Sequence, residues 1–203
     1  MTWWIVAAAL WGAAEASFFF LVPDILLTAA ALRHGLKAGL LLSVCAAILA
    51  ALSGVILWVW ARHDPVQARA AMLHVPAVGP DLLARVHGEF DKGWPLHLTL
   101  GAVSGVPYKL YAVEAGVRGA PLWLFVPVSF AARLTRFALT VTAAAAARAG
   151  LAHLGRPDRA MPLWACAWIL VYAVYFTIRA TAWDLELGLV TAASPPTSGP
   201  STL

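Results

Sequence analysis

Long apolar stretches separated by short polar segments dominate the pattern along the chain. Residues 38–61 include no charged residue, and about 20 apolar residues in a helix cross the hydrocarbon core of a bilayer. Residues 162–178 form a second such stretch. Residues 121–147 are also long enough to cross, although Arg133 and Arg136 fall near their middle. The pattern therefore predicts about three transmembrane helices.

Two further apolar stretches contain helix breakers. The stretch 2–32 includes the pair Pro23 and Asp24 near its midpoint. The stretch 93–116 includes Gly105 and Pro107. Proline removes a backbone donor, so a straight helix through it would leave unsatisfied backbone groups in lipid. We therefore expect two re-entrant or broken helical hairpins buried against the spans. Broken helices that face each other are typical of transporters with inverted repeats, but two prolines are a thin basis for symmetry.

Polar residues fill the segment 62–92, which we expect to lie outside the hydrocarbon as a linker. Within it Pro80 can open a helix, and apolar residues then recur at helical spacing. This amphipathic helix lies either in the membrane interface or packed on the protein. Residues 1–183 are predicted to form one transmembrane domain. Residues 184–203 form a C-terminal tail that is disordered at its end, where Ser, Pro, Gly and Thr are frequent.

The composition agrees with a membrane protein. Of the residues, 62% are hydrophobic and 12% are charged, and the mean hydropathy is +0.78, whereas soluble domains have about twice that share of charge. No basic block of the kind that binds nucleic acid is present. No cationic region precedes the first apolar stretch, so we expect no cleaved signal. Lys and Arg are shared almost equally between the two predicted sides, and orientation is not decided.

Ionisable residues at membrane depth are costly and are functional candidates by default. The set consists of Glu15, Asp24, Lys109, Glu114, Arg133 and Arg136. One alternative is that these residues pair with one another and only lock the fold. For Glu114 a position near the membrane surface, close to Arg118, is an equal alternative.

Arg133 and Arg136 are three residues apart, so they project from one face of a helix. Two adjacent guanidinium groups repel each other unless an anion lies between them, and they match phosphate oxygens bidentately. Lys109 can add a third positive charge if its segment folds against this helix. Desolvation favours the neutral form of a carboxylate, so Glu15 and Asp24 are candidates for proton exchange. Glu15, Asp24 and Glu114 are also alternative partners of the arginines, in a closed internal network.

Other chemistries find little support in the sequence. The two cysteines, Cys45 and Cys166, are far apart and are expected to be small core residues. The six histidines show no metal-binding spacing, and there is no nucleophile-elbow, P-loop or dinucleotide motif. We therefore expect no enzymatic activity, no cofactor and no metal.

Four motifs resemble, in order and spacing, the second half of the DedA-like, VTT-domain (SNARE-associated) membrane proteins. They are FDKG at 90–93, SGVPYK at 104–109, AGV at 115–117 and ARLTRF at 132–137. Glu15 followed by Pro23 and Asp24 is similar to the first re-entrant segment of that family. The resemblance covers residues 15–148.

The resemblance implies two re-entrant hairpins among transmembrane helices and a role in moving lipids across the bilayer. Bacterial members are associated with translocation of polyprenyl phosphates or phospholipids, and eukaryotic relatives are scramblases. Carried over by position, the acidic pair falls on Glu15 and Asp24, and the basic residue of the second hairpin is Lys109. The arginine pair falls on Arg133 and Arg136.

This sequence departs from the family pattern in one respect. Many relatives have an arginine just before the proline turn of the second hairpin, whereas residues 101–104 here read GAVS. One fewer cation weakens anion binding and favours a different headgroup or passive scrambling.

We predict an all-α integral membrane protein of a bacterial inner membrane that translocates a phosphate-containing lipid with proton coupling. Lys109, Arg133 and Arg136 would hold the headgroup, Glu15 and Asp24 would exchange a proton, and the break at Gly105 and Pro107 would act as a hinge. The alternatives are a proton-coupled transporter of a small solute or ion and a non-transporting assembly protein. The oligomeric state stays open, with a homo-oligomer as one alternative.

Overall fold

The computed structural model describes residues 2–17, 22–75 and 78–193, with the side chains of all of these except 16–17, 102–103 and 179–193. Nine α-helices and one short 3-10 helix make up this part of the chain, which contains no strand. The α-helices are α1 (Thr2–Ser17), α2 (Asp24–His34), α3 (Leu36–His63), α4 (Pro65–Met72), α5 (Pro80–Asp91), α6 (Trp94–Ser104), α7 (Tyr108–Val117), α8 (Leu122–His153) and α9 (Ala160–Ala193). The 3-10 helix is Pro157–Arg159.

Three helical segments in the described part are long and apolar enough to cross a membrane. They are Leu36–His63, Leu122–His153 and Pro157–Ile178, which match the three predicted spans. The protein is therefore an all-α membrane protein, as the sequence predicts.

Helix α3 is the packing centre of the first part of the fold, because α1, α2, α7 and α8 all contact it. Its buried face is rich in small residues, which let neighbouring backbones approach closely. At Gly54, an added Cβ would overlap the ring of Tyr108 in α7. At Gly116 of α7, an added Cβ would lie 2.9 Å from the carbonyl carbon of Trp58. Close contact between α3 and α7 therefore depends on a glycine in each helix.

Both predicted breaks are present. In the first segment α1 ends at Ser17 and α2 begins at Asp24. In the second, α6 ends at Ser104, Gly105 adopts a positive φ of 86°, and α7 starts after Pro107. Every residue of α7 from Tyr108 to Gly116 is buried, so protein rather than lipid covers the helix that follows the break.

The polar linker contains two helices rather than one. Helix α5 begins at Pro80, as predicted, and buries Val86 and Phe90 while it contacts α6 and α7. The structure shows this helix packed on the protein, and its position in the membrane interface stays a prediction. Helix α4 was not predicted; the Asp64 carboxylate caps it by accepting a 2.9 Å hydrogen bond from the backbone N–H of Gln67.

The chain divides into two compact units, Met1–Trp164 and Ala165–Leu203. In the second unit, Trp168, Tyr172 and Phe176 form a ladder of rings with centroids 6.2 and 6.1 Å apart. Cys166 is exposed, so the prediction that it is a core residue is wrong. The helix continues to Ala193, which makes 184–193 helical; the predicted disordered end at 194–202 lies outside the described residues.

Candidate functional site: buried ion pairs between α8 and the first broken segment

Helix α8 places two guanidinium groups well inside a candidate membrane span. Arg133 and Arg136 are the twelfth and fifteenth of its 32 residues. The Arg133 side chain is 1% exposed, and the Arg136 side chain is 21% exposed. Such burial is unusual for arginine, which is almost never fully buried without a partner. Each of the two therefore requires a negatively charged partner.

Glu15 of α1 is the partner of Arg133. A guanidinium nitrogen of Arg133 forms an ion pair with a carboxylate oxygen of Glu15, and both side chains are buried. A buried pair of this kind stabilises only in good geometry, and removal of one partner leaves an uncompensated charge in low dielectric. The end of α1 is thereby fixed against the middle of α8.

Asp24, the first residue of α2, is the partner of Arg136. Its carboxylate lies 3.2 Å from the guanidinium of Arg136 and accepts a 2.8 Å hydrogen bond from the Thr140 hydroxyl, one turn further along α8. The Asp24 side chain is fully buried. At the start of α2 its negative charge is also favoured by the helix dipole.

The second broken segment contacts Arg133 through the aromatic ring of Tyr108. The guanidinium carbon of Arg133 lies 5.2 Å from the ring centroid of Tyr108 and 4.9 Å from that of Phe137. Both distances are within cation–π range. Tyr108 is the first residue of α7, and Lys109, 2% exposed, follows it. Arg133 thus contacts both broken segments, since Glu15 belongs to the first and Tyr108 to the second.

Arg133 retains unused hydrogen-bonding capacity. A guanidinium has five N–H donors, and among the described residues the Nε of Arg133 has no hydrogen-bond partner. A phosphate offers several acceptor oxygens that suit such a fork. Arg133 therefore retains a donor for a further acceptor.

Glu114, the additional candidate, belongs to a different cluster. Its carboxylate accepts hydrogen bonds from Arg69 at 2.7 Å and Arg118 at 2.8 Å, and it lies 2.8 Å from Nδ1 of His87. Burial raises the pKa of Glu114, but the hydrogen bonds from Arg118, Arg69 and His87 outweigh that effect, and the pKa lies below its usual 4.5. The alternative position beside Arg118 is thus the one observed, and this cluster ties α4, α5 and α7 together.

Sequence reasoning identified the charged members of the site and placed Thr140, which donates to Asp24, near the face of Arg133 and Arg136. It missed Tyr108 and Phe137, whose rings lie against the guanidinium of Arg133. Phe137 lies four residues after Arg133, where one helical turn brings side chains together, so the helical spacing could have identified it. Tyr108 had no comparable signal, because its contact with α8 depends on the fold of the second segment.

Among the residues that the structure describes, no group of three His, Cys, Asp or Glu side chains could hold a metal ion. Comparison with known proteins gives no match: no protein-family model, no curated protein and no solved structure is similar to this chain. The resemblance to DedA-like proteins therefore stays a prediction.

A double-mutant cycle tests the pair of Glu15 and Arg133. We expect Glu15→Gln and Arg133→Gln each to lower the free energy of unfolding by about 3 to 5 kcal/mol, because each leaves a buried charge without its partner. The double variant should lose less than the sum, since no lone charge remains. Unfolding in detergent measures this. In a control cycle, Arg148→Gln, at an exposed position of the same helix, replaces Arg133→Gln and should be additive with Glu15→Gln. Additivity between Glu15→Gln and Arg133→Gln would show that the pair does not form.

The cluster at Glu114 predicts a pH dependence. Because the pKa of Glu114 is lowered in the folded state, its contribution is complete above about pH 4.5, the unfolded-state value, and is lost as pH falls through the folded-state pKa. We expect Glu114→Gln to have a lower Tm than the parent at pH 7 and a smaller further drop towards pH 3. The exposed Asp158→Asn variant should follow the parent. Equal drops in parent and Glu114→Gln would contradict this assignment.

Proposed function

We propose that this protein translocates a phosphate-containing lipid, such as a polyprenyl phosphate or a phospholipid, across a bacterial inner membrane with proton coupling. The observation that supports the proposal best is that two arginines on one transmembrane helix are held by carboxylates from two different helices of a broken segment. Membership of the DedA-like family is part of the same proposal.

The chemistry of the pairs suggests how coupling would work. While Glu15 is ionised, it occupies the guanidinium of Arg133. A proton taken up by Glu15 removes that charge and frees Arg133 for an anion, so proton and phosphate would enter together. The same exchange applies to Asp24 and Arg136, whose guanidinium is already partly exposed.

Release is as necessary as binding. A carrier that bound the headgroup with many cations would not release it. Here each arginine has a neighbouring carboxylate, which would displace the phosphate once it loses its proton. Lys109, buried in α7, would supply further positive charge near the headgroup. Gly105 and Pro107 would let α6 move relative to α7, because they interrupt the helix between them.

Flipping in proteoliposomes tests the proposal. The lipid is a fluorescent phospholipid, and the variants are Arg133→Gln, Glu15→Gln and the double variant, which keeps no lone buried charge and therefore controls for folding. We expect Arg133→Gln to slow flipping at least about tenfold, since a charge-assisted hydrogen bond contributes about 1.5 to 3 kcal/mol and about 1.4 kcal/mol is tenfold. A proton gradient should accelerate the parent but not Glu15→Gln.

The exposed variant Arg85→Gln is the matched control and should flip at the parent rate. Uptake of soluble phosphate without flipping would favour the solute transporter instead. Parent-like flipping in the folded double variant would mean that the ion pairs only lock the fold, and the proposal would then be wrong.

A further inference from the structure

A groove lies where the turn between α2 and α3 meets the C-terminal part of α8. Its cavity volume is about 570 Å³, within the range of about 300 to 1,000 Å³ typical of ligand pockets. Its walls are mainly small apolar residues, together with one cation, Arg148. The lining includes Ala31, Gly35, Ala145, Ala149, Ala152 and Pro157. None of the residues assigned to proton or headgroup binding lines it, so this groove is a separate site.

Exposed cations line the groove or neighbour its lining residues in the sequence. Arg33 and Lys37 flank the lining residue Gly35, Arg156 and Arg159 flank Pro157, and Arg148 lines the groove itself. All five side chains are exposed, and the one carboxylate in this stretch of chain is Asp158. The chain segments at the rim of the groove, residues 33–37 and 148–159, therefore carry five cations and one carboxylate, an excess of four positive charges.

The opposite end of the spans offers a direct contrast. There Arg69, Arg85 and Arg118 form ion pairs with Glu114, Glu89 and Asp91 at 2.7, 2.8 and 2.5 Å. Around the groove, none of the five cations forms an ion pair within the described residues. Arg69, Arg85 and Arg118 are thus compensated at one end, whereas the five cations near the groove are not compensated by any residue that the structure describes.

We infer that the groove binds one anionic phospholipid, with the phosphate against Arg148 and the neighbouring cations and an acyl chain along the alanine-lined wall. A transmembrane protein presents this rim at the depth of the headgroups, where a Lys or Arg near an anionic surface contributes about 1 kcal/mol. Arginine matches phosphate oxygens bidentately. The apolar wall suits an acyl chain better than an acidic peptide. This inference does not depend on the proposed translocation.

Lipid binding to the purified full chain, measured by native mass spectrometry, tests the inference. The probes are phosphatidylglycerol and phosphatidylcholine with the same acyl chains. We expect the parent to prefer phosphatidylglycerol and Arg148→Gln to bind it about fivefold more weakly, the equivalent of about 1 kcal/mol. Ala149→Leu fills the groove at an exposed position without changing charge, and it should weaken binding as well.

Two matched controls accompany these variants. Ala147→Leu adds the same bulk at an exposed position of α8 outside the groove, and Lys92→Gln removes an exposed cation at the opposite end; both should bind as the parent does. Glycerol phosphate at the same concentration should not compete, because it lacks the chain. The inference is overturned if phosphatidylcholine binds equally well, if Arg148→Gln or Ala149→Leu binds like the parent, or if glycerol phosphate displaces the lipid.

Discussion

The contact between the guanidinium groups of α8 and the carboxylates of the first broken segment is the constraint on which the interior of this protein depends. A charge inside a membrane protein must be compensated, and here Arg133 and Arg136 can remain on a spanning helix only because Glu15 and Asp24 reach them. The break that interrupts the apolar stretch brings both acids to α8 from two separate helices. Helix breaking and charge compensation are therefore two parts of one arrangement.

The charges of the two arginines are compensated inside the protein, but not all of their hydrogen-bond donors are used. Each carboxylate satisfies part of one guanidinium, and the Nε of Arg133 has no hydrogen-bond partner among the described residues. The ring of Tyr108 covers the same guanidinium from the second broken segment. A change at either segment would consequently alter the surroundings of Arg133. Such coupling is what a carrier requires, since binding on one side must be linked to movement of the elements that open to the other.

Much of the fold could be predicted from the sequence, because membrane spans depend on length and apolarity alone. The three spans and both breaks follow from runs of apolar residues and from Pro23, Gly105 and Pro107. The pairing could not be predicted, because Glu15, Asp24, Glu114 and an external anion were all alternative partners of Arg133. Only the packing of the helices selects among the internal ones. Helix α4 was missed because eight residues in a polar linker show no clear apolar period.

The two ends of the bundle differ in how their charges are used. At the end formed by α4, α5 and the C-terminus of α7, carboxylates from α5 and α7 form ion pairs with Arg69 and Arg118 and bind the three helices together. At the other end the cations remain uncompensated around an apolar groove. Ion pairs thus stabilise the packing of α4, α5 and α7 at one end, whereas the groove at the other end is suited to anionic lipid.

The distance between the Glu15 carboxyl carbon and the Arg133 guanidinium carbon, measured by solid-state NMR in bilayers, tests the central claim most directly. In bilayers of neutral lipid at neutral pH, the two groups should be in ion-pair contact. When phosphate-containing lipid is added at low pH, the distance should lengthen while phosphorus approaches Arg133. Groups that are apart in neutral lipid, or a contact that is unchanged while the lipid is being translocated, would contradict the exchange of carboxylate for phosphate.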